Sequence, residues 1–455
     1  MYREGDSAGS VAFRKSIFSG LSASLLVLYL IATLAFVWPV YRSFLNIKIN
    51  ENEGWNAYFA DAALGRMSLY PAPAQWITNN YPPLSFYLVG QFGRWIGDTI
   101  LAGRLISLAA VLALASLIAV IIKELGGDRT AGRVGGAFFV ATISLFFDHY
   151  VGMNEPQLLA HAIMAVGFLL WIKATRDNRE YALPICLMVI AGFFKHNIIA
   201  MPFAALLWLA IQGRWVSFFR CLAFSLFLMA LGFLGCFMAY GRDFFFNFFT
   251  PRLFSLDQQW DALLELQGVG VVLATWLWIG VIRRFEPNMQ LLNLLILMGL
   301  LVHFLQRTGD GVDMNSQFDL VIGVSLAAGM IFSHLGKLNG IHGGILQISF
   351  ILTICLRLIF SENSRDILKI ISPTCHHEIS HRERIVRQLI TQVHSVPGDV
   401  MSDAYLCYRA GKPFVVDEFN LDERIKTGKI AKETLSKRIQ DHTLIKIEAD
   451  PDIEW

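Results

Sequence analysis

Runs of apolar residues long enough to cross a lipid bilayer recur along this chain, and they settle its fold class before any motif is considered. A transmembrane helix needs about 20 predominantly apolar residues, and somewhat fewer where it is broken. About eleven such runs are legible, near residues 17–40, 101–122, 132–147, 156–172, 182–194, 197–211, 221–240, 264–282, 289–305, 319–334 and 341–360. The fifth and sixth are short and join through Lys195-His196-Asn197. A further apolar stretch, Leu84 to Ile96, is too short to span and suits a helix lying in the membrane interface. Composition agrees. Of 455 residues, 55% are hydrophobic and only 16% are charged, against about one quarter charged in a soluble domain. The net charge of +2 gives no reason to expect a nucleic-acid partner.

Basic residues mark the cytoplasmic loops of such proteins. With the N-terminus in the cytoplasm, the inner connections hold Arg3, Arg14, Lys15, Lys123, Arg129, Arg133, Lys173, Arg176, Arg179, Arg214, Arg220, Arg283, Arg284 and Lys337. The short outer loops hold few, such as Arg242, Arg252 and Arg307. An odd number of spans then puts both loop 41–100 and the tail 361–455 outside. The first run is long enough to remain as an anchor. The tail reads as a small α/β unit, with "KPFVVDEF" and "TLIKIEA" as short strands. Four of the six cysteines lie in apolar runs; Cys375 and Cys407 fall in the tail and could pair if it is outside the cytoplasm.

Polar chemistry gathers where the outer loops meet the membrane. In loop 41–100, Trp55, Tyr58, Phe59 and Ala62 recur at helical spacing after Glu51 and Glu53. Tyr81-Pro82-Pro83 opens a second helical piece, since proline favours the first helical position. Arg104 opens the second span, Glu155 opens the fourth, and Lys195 sits at the break between two short spans. Ionisable groups at membrane depth are costly, which makes each a functional candidate. Plainer readings stand beside these: Arg104 can snorkel to the interface, Glu155 can serve a helix N-terminus, and His161 can be a satisfied core histidine. The run "DFFFNFFTPRLFSL" suits an interfacial aromatic belt.

Taken in order, these elements resemble the polytopic GT-C glycosyltransferases, in the branch of protein mannosyltransferases and bacterial lipid A aminoarabinose transferases. The family's first outer loop opens with an Asp-Glu pair, then Gly and aromatics; here the residues are Asn52-Glu53-Gly54-Trp55, then Tyr58. Its Tyr-Pro-Pro element is Tyr81-Pro82-Pro83, its Gly-Asp and Arg-Leu are Gly97-Asp98 and Arg104-Leu105, and its second acid is Glu155 before Pro156. "GFFKHNIIA" resembles its lysine between two short helices, and "GVDMNSQFDL" its late outer-face asparagine element, with Asn315 and Asp319. The dyad's first acid is Asn52 in this chain, which leaves a single carboxylate there.

The resemblance implies a GT-C transmembrane catalytic domain over 1–360 and a small soluble domain over 361–455, in the cytoplasmic membrane of a bacterium. It implies an inverting transfer of sugar from a polyprenyl-phosphate donor to a lipid, glycan or protein acceptor on the outer side. Glu53 would be the general base, with Glu155 assisting. Lys195, with Arg104 and Arg252, would hold the donor phosphate. Asn52, Trp55, Tyr58, Tyr81, His196, Asn315 and Asp319 would contact substrate. No cofactor is required by this scheme, and a divalent metal ion is left open because family members differ.

Two other readings compete. A membrane transporter of a lipid or polar solute would also use buried charges, although such proteins tend to show matched broken helices in two halves, and only one broken pair is legible. A zinc metalloprotease is suggested by "HEISH", His377 to His381. Ser372-Pro373 can start a helix through that motif, whereas Ser380 to Glu383 fits a capping box that would leave His377 outside the helix. The downstream stripe Val386, Leu389, Ile390 and Val393 places both histidines on the opposite face.

Overall fold

The computed structural model describes residues 8–282, 286–338, 341–431 and the short pieces 436–437, 440–441 and 444–447. Arg3, Arg283 and Arg284 fall outside the described residues, as does the end of the expected strand "TLIKIEA".

Each expected apolar run is helical. In chain order the elements are α1 (Ala8–Arg42), α2 (Asn52–Asp61), α3 (Leu84–Ile96), α4 (Thr99–Glu124), α5 (Arg129–Phe146), α6 (Gln157–Arg176), α7 (Ala182–Phe194), α8 (Ala200–Ile211), α9 (Trp215–Tyr240), α10 (Arg242–Phe248), α11 (Gln259–Glu265), α12 (Gly270–Ile282), α13 (Pro287–Gln306), α14 (Phe318–Gly336) and α15 (Ile341–Ile359). The tail adds α16 (Leu368–Ile371), α17 (Pro373–Ser395), α18 (Ala404–Arg409) and α19 (Glu418–Lys426), with strands β1 (Val400–Met401) and β2 (Ile445–Lys446). Among the described residues, seven helices are individually long and apolar enough to cross a membrane. This is an all-α polytopic membrane protein.

The expected straight span over 264–282 is instead bent by 84°, between Gln259–Gly268 and Gly270–Ile279. Gly268 lies against the Phe146 ring, where a β-carbon would stand only 2.8 Å from Cγ. The bend therefore packs tightly on α5.

Hydrogen bonds at the helix ends define two faces of the bundle. At one face Arg176 pairs with Glu124, Arg214 Nη2 donates to Asn178 Oδ1 at 3.1 Å, Asn288 Nδ2 donates to the Leu125 carbonyl, and Lys337 lies beside the Gly126 carbonyl. At the other face lie loop 43–83, the 195–199 break and the tail. Helices α7 and α8 each run between the two faces in 13 and 12 residues. At 1.5 Å per residue that is only about 20 Å of helix, less than the roughly 30 Å of a bilayer's hydrocarbon core. The break between them, with Lys195, thus joins two helices that are each shorter than a full span.

Within the loop, Gly97 ends α3 in the left-handed conformation (φ 88°), and Asp98 caps α4 by accepting from Leu101 N at 3.0 Å. Helix α3 fits the interfacial expectation, with Tyr87, Leu88 and Trp95 exposed. Helix α2 does not: every residue from Glu53 to Asp61 is buried, because the tail covers it.

The tail holds the expected α and β elements, with little strand among the described residues, and it packs on the loop. Among the described residues the tail's strand pairing is one two-residue parallel pair, Val400 with Ile445 and Met401 with Lys446. "KPFVVDEF" makes a single bridge from Val416 to Trp76, then enters α19. Its core is shared with the loop: Ala57 and Ile100 pack among Val386, Val393, Tyr405 and Leu406, and Trp76 packs among Met401, Val416 and Leu421. Polar clamps reinforce it, including Lys48 to Asp403 (2.8 Å), Arg409 to Asp98 (2.7 Å) and Arg424 to the carbonyls of Gln75 and Pro73 (2.9 and 2.6 Å). Cys375 and Cys407, which could have paired, are both free thiols.

Candidate functional site

Glu53 sits in the first turn of α2 and is fully buried. Arg104 Nε donates to its Oε1 at 2.8 Å and Arg104 Nη2 to its Oε2 at 2.7 Å. The backbone N–H of Asn154 donates to Oε1 (3.0 Å) and that of Ile49 to Oε2 (2.8 Å). A carboxylate offers about four lone-pair positions, and all are taken. Arg104 is equally committed: Nη1 donates to the Ser43 and Leu45 carbonyls (3.2 and 2.7 Å) and Nη2 also to that of Ile47 (2.6 Å). Loop 43–49 is wrapped around this guanidinium. The pair is a buried bidentate strut. In this arrangement every lone pair of Glu53 and every N–H of Arg104 is engaged within the protein.

A second buried ion pair lies one residue further along. Asn154, which donates from Nδ2 to the Glu53 carbonyl (3.2 Å) and accepts at its own carbonyl from Asn56 Nδ2 (2.9 Å), is followed by Glu155. Lys195 Nζ donates to Glu155 Oε1 at 2.6 Å, each side chain being 3% exposed. Glu155 Oε2 accepts from Gln157 N at 2.6 Å. The Lys195 ammonium also lies over the Tyr81 ring, 3.4 Å from its centroid, a cation–π contact. Unlike Arg104, Lys195 is a three-donor group with one donor spent on a carboxylate.

The next residue, His196, packs edge-on against Tyr81 and Phe248 and lines an apolar cavity of about 320 Å³ between α7, α8 and α9. Pro82, Phe193, Pro202, Met229 and Phe233 are among its walls. The cavity thus begins at the Tyr81-Pro82 turn beside the buried lysine.

The remaining expected contacts divide. Asn52 is exposed at the start of α2, its backbone N–H held by Asn50 Oδ1 (3.0 Å). Trp55 and Tyr58 are buried among aromatic neighbours. Trp55 packs against Phe59, Tyr81 and Phe86 and donates to the Thr78 carbonyl and Asp417 Oδ2; Tyr58 packs against Phe59 and Phe414. Arg252 faces the tail, donating to the Asp310 carbonyl (2.8 Å) with its guanidinium over the Phe419 ring. Asn315 exchanges hydrogen bonds with Gln157 (2.7 and 2.8 Å). Asp319 is buried inside the bundle beside His161 (3.4 Å) and accepts from Ala200 N at the start of α8 (3.3 Å), linking three helices.

Asn154, Gln157 and Asp417 were not singled out from the sequence. Asn154 had a signal in Gly103: its side chain occupies the space a β-carbon there would fill, Oδ1 standing 1.7 Å from that position. Asp417 is buried at the loop–tail junction, and desolvation pushes its carboxyl above the usual carboxylate range.

"HEISH" lies inside α17, which Ser372 caps and Pro373 begins. His377 and His381 are exposed, Glu378 pairs with Arg382 at 2.8 Å, and Ile379, Val386 and Val393 form the buried side. Leu389 and Ile390 are only half-buried. Among the described residues no cluster of three or more His, Cys, Asp or Glu side chains could hold a metal ion. At the membrane-level site Glu53 and Glu155 are each already paired with a cation, a donor set that does not fit a divalent ion.

Comparison with known proteins bears on the fold. A family model described as dolichyl-phosphate-mannose-protein mannosyltransferase matches residues 80–240, a segment that contains Tyr81, Arg104, Glu155 and Lys195. The crystal structure of ArnT from Cupriavidus metallidurans in the apo state is similar over 95% of this chain and 94% of that one, with 11% identity and a TM-score of 0.62. The same protein bound to undecaprenyl phosphate matches with 10% identity over 95% and 91%, at a TM-score of 0.58. The apo oligosaccharyltransferase of Archaeoglobus fulgidus matches with 11% identity over 93% and 69%, at 0.55. A search of curated proteins finds no match. The chain has the GT-C fold.

Proposed function

We propose that this GT-C-fold chain is an inverting glycosyltransferase that takes a sugar from a polyprenyl-phosphate donor and passes it to a lipid, glycan or protein acceptor at the face where loop and tail meet. The observation that carries this reading is the placement of Lys195: a buried ammonium over the Tyr81 ring, whose next residue, His196, lines an apolar cavity together with Pro82. A lipid phosphate has the matching chemistry, an anionic head on a hydrocarbon chain. Nothing about a soluble sugar nucleotide calls for that combination. ArnT, which is similar in fold, has been crystallised with undecaprenyl phosphate.

In this reading the prenyl chain lies in the α7–α8–α9 cavity and the phosphate meets Lys195. The acceptor hydroxyl attacks the anomeric carbon from the side opposite the phosphate. The C–O bond to phosphate breaks, and negative charge grows on the departing phosphate, where Lys195 stabilises it. The acceptor proton passes to a carboxylate. With Glu53 saturated, Glu155 is the acid placed to receive it. One displacement inverts the anomeric centre. Glu53 and Arg104 fix the loop that carries Asn52 beside the site.

The distribution of charge supports an outer location for this face. Lys123, Lys173, Arg176, Arg179, Arg214 and Lys337 belong to the opposite end of the bundle, as cytoplasmic loops would. In this reading the site and the tail lie outside the cytoplasm of a bacterial cell and the N-terminus within. The test is transfer of labelled sugar from a synthetic polyprenyl-phosphate donor to envelope extract by purified protein in nanodiscs. Transfer by the wild type, lost in Lys195→Ala, is expected. Undiminished transfer in that variant overturns the assignment.

A further inference from the structure

The resting site holds its two reactive groups against each other. Lys195 Nζ and Glu155 Oε1 are 2.6 Å apart, both out of water. A lysine spent on a carboxylate is a poor phosphate binder, and a carboxylate spent on a lysine is a poor base. Each must be released for the transfer proposed above. The pair is also unlike its neighbour. Glu53 and Arg104 are locked by further hydrogen bonds on both sides, whereas among the described residues Lys195 meets Glu155 and Tyr81.

The two carboxylate oxygens of Glu155 are held differently. Oε1 faces Lys195, and Oε2 accepts from Gln157 N. That second anchor is rigid. Gln157 begins α6, its side chain exchanges two hydrogen bonds with Asn315, and its carbonyl accepts from or faces His161 Nδ1 at 2.9 Å. His161 is in turn backed by Asp319. If Lys195 turns away, Glu155 stays in place with Oε1 uncovered.

We propose that the donor's phosphate and the Glu155 carboxylate compete for Lys195, so that binding of the lipid phosphate itself uncovers the general base. The inference rests on the transferase reading and adds an order to it: donor first, then a base able to act on the acceptor. Lysine's flexible stem permits the small swing from carboxylate to phosphate, and its three donors let it leave one anion for another without losing its charge partner. In the step that follows, the acceptor O–H proton goes to Glu155 Oε1, the acceptor oxygen bonds to the anomeric carbon, and the electron pair of the broken C–O bond stays on the phosphate held by Lys195. Without a donor the acceptor meets a carboxylate already engaged.

Competition has a signature that a structural ion pair lacks, because removing the anionic rival should strengthen phosphate binding. Binding of undecaprenyl phosphate, without sugar, is measured in nanodiscs for the wild type, Glu155→Gln and Lys195→Ala. Glu155→Gln is expected to bind tenfold or more tightly than wild type while transferring no sugar, and Lys195→Ala to bind more weakly. Equal or weaker binding by Glu155→Gln overturns the proposal. A second measurement needs no variant. A hydrophobic carbodiimide should join Glu155 to Lys195 in lipid-free wild-type protein, read as a cross-linked peptide pair short of one water, and undecaprenyl phosphate should suppress it. No cross-link in the lipid-free protein, or one unchanged by bound lipid, refutes the competition. If the wild type binds no undecaprenyl phosphate at all, the donor assignment itself fails and the competition with it. Binding without suppression removes only the competition.

Discussion

Replacing Glu53 with glutamine should loosen the whole loop face rather than only silence a reaction. The side chain is fully buried and accepts four hydrogen bonds, two from Arg104 and two from the backbone of Ile49 and Asn154. Glutamine keeps the shape but not the charge. Its single carbonyl oxygen can serve one pair of those donors, and its amide N–H groups would point at the other pair. Arg104 would keep a buried positive charge with only carbonyl partners. Breaking one side of a buried ion pair costs about 3–5 kcal/mol, a large share of the roughly 5–15 kcal/mol that holds a typical domain folded. Loop 43–49 and Lys48, which clamps the tail through Asp403, should loosen together. The assay is thermal unfolding in detergent followed by tryptophan fluorescence, beside limited proteolysis of the tail. A lower transition and earlier cleavage are expected, with Glu53→Gln/Arg104→Met recovering part of the loss because both charges are then gone. A Glu53→Gln protein that melts and resists protease like wild type, yet transfers no sugar, would refute this reasoning and restore Glu53 as the base.

Other outcomes follow from the same contacts. Gly54→Ala should undock the tail, since the new β-carbon would stand 2.1 Å from Tyr405 N and 2.3 Å from Ala404 C, backbone that cannot turn aside; wild-type protease resistance would contradict this. Gly103→Ala should displace Asn154 and lower transfer by tenfold or more, with a smaller effect on stability than Glu53→Gln, and unchanged turnover would show that Asn154 is not needed to seat Glu155. Burial pushes the Cys407 thiol up to about 12, so at pH 8 it is neutral and should resist a maleimide in folded protein while half-buried Cys375 reacts; equal labelling, or loss of both thiols to a disulfide, would count against the packing of α18. His377→Ala and His381→Ala should leave sugar transfer within about twofold of wild type, since both side chains face solvent and surface changes away from special features are usually worth under about 0.5 kcal/mol.

Much of the fold was legible because hydrocarbon imposes one dominant rule, an apolar run per helix. Leu84–Ile96 and the break at Lys195 were both readable from run length alone. The bend near Gly268 was not, since it depends on the Phe146 ring of another helix. The tail misled for a related reason. Its β-branched stretch in "KPFVVDEF" looks like a strand, yet Val416 finds only one bridging partner, Trp76 of the loop. At the site, the ionisable groups were legible as groups worth attention, because charge at membrane depth is rare. Their partners were not. Sequence does not reveal that Glu53 meets Arg104, 51 residues away, and Lys195 meets Glu155, 40 residues away. Those pairings engage Glu53 on every side and carry the proposal that Glu155 acts as the base.

The most direct test of the account is native mass spectrometry on gently purified protein, comparing wild type with Lys195→Ala. The account predicts a polyprenyl phosphate, with or without sugar, retained by the wild type and lost from the variant while ordinary phospholipid stays. A wild-type protein that carries only bulk phospholipid, or a variant that retains the polyprenyl phosphate undiminished, would contradict it.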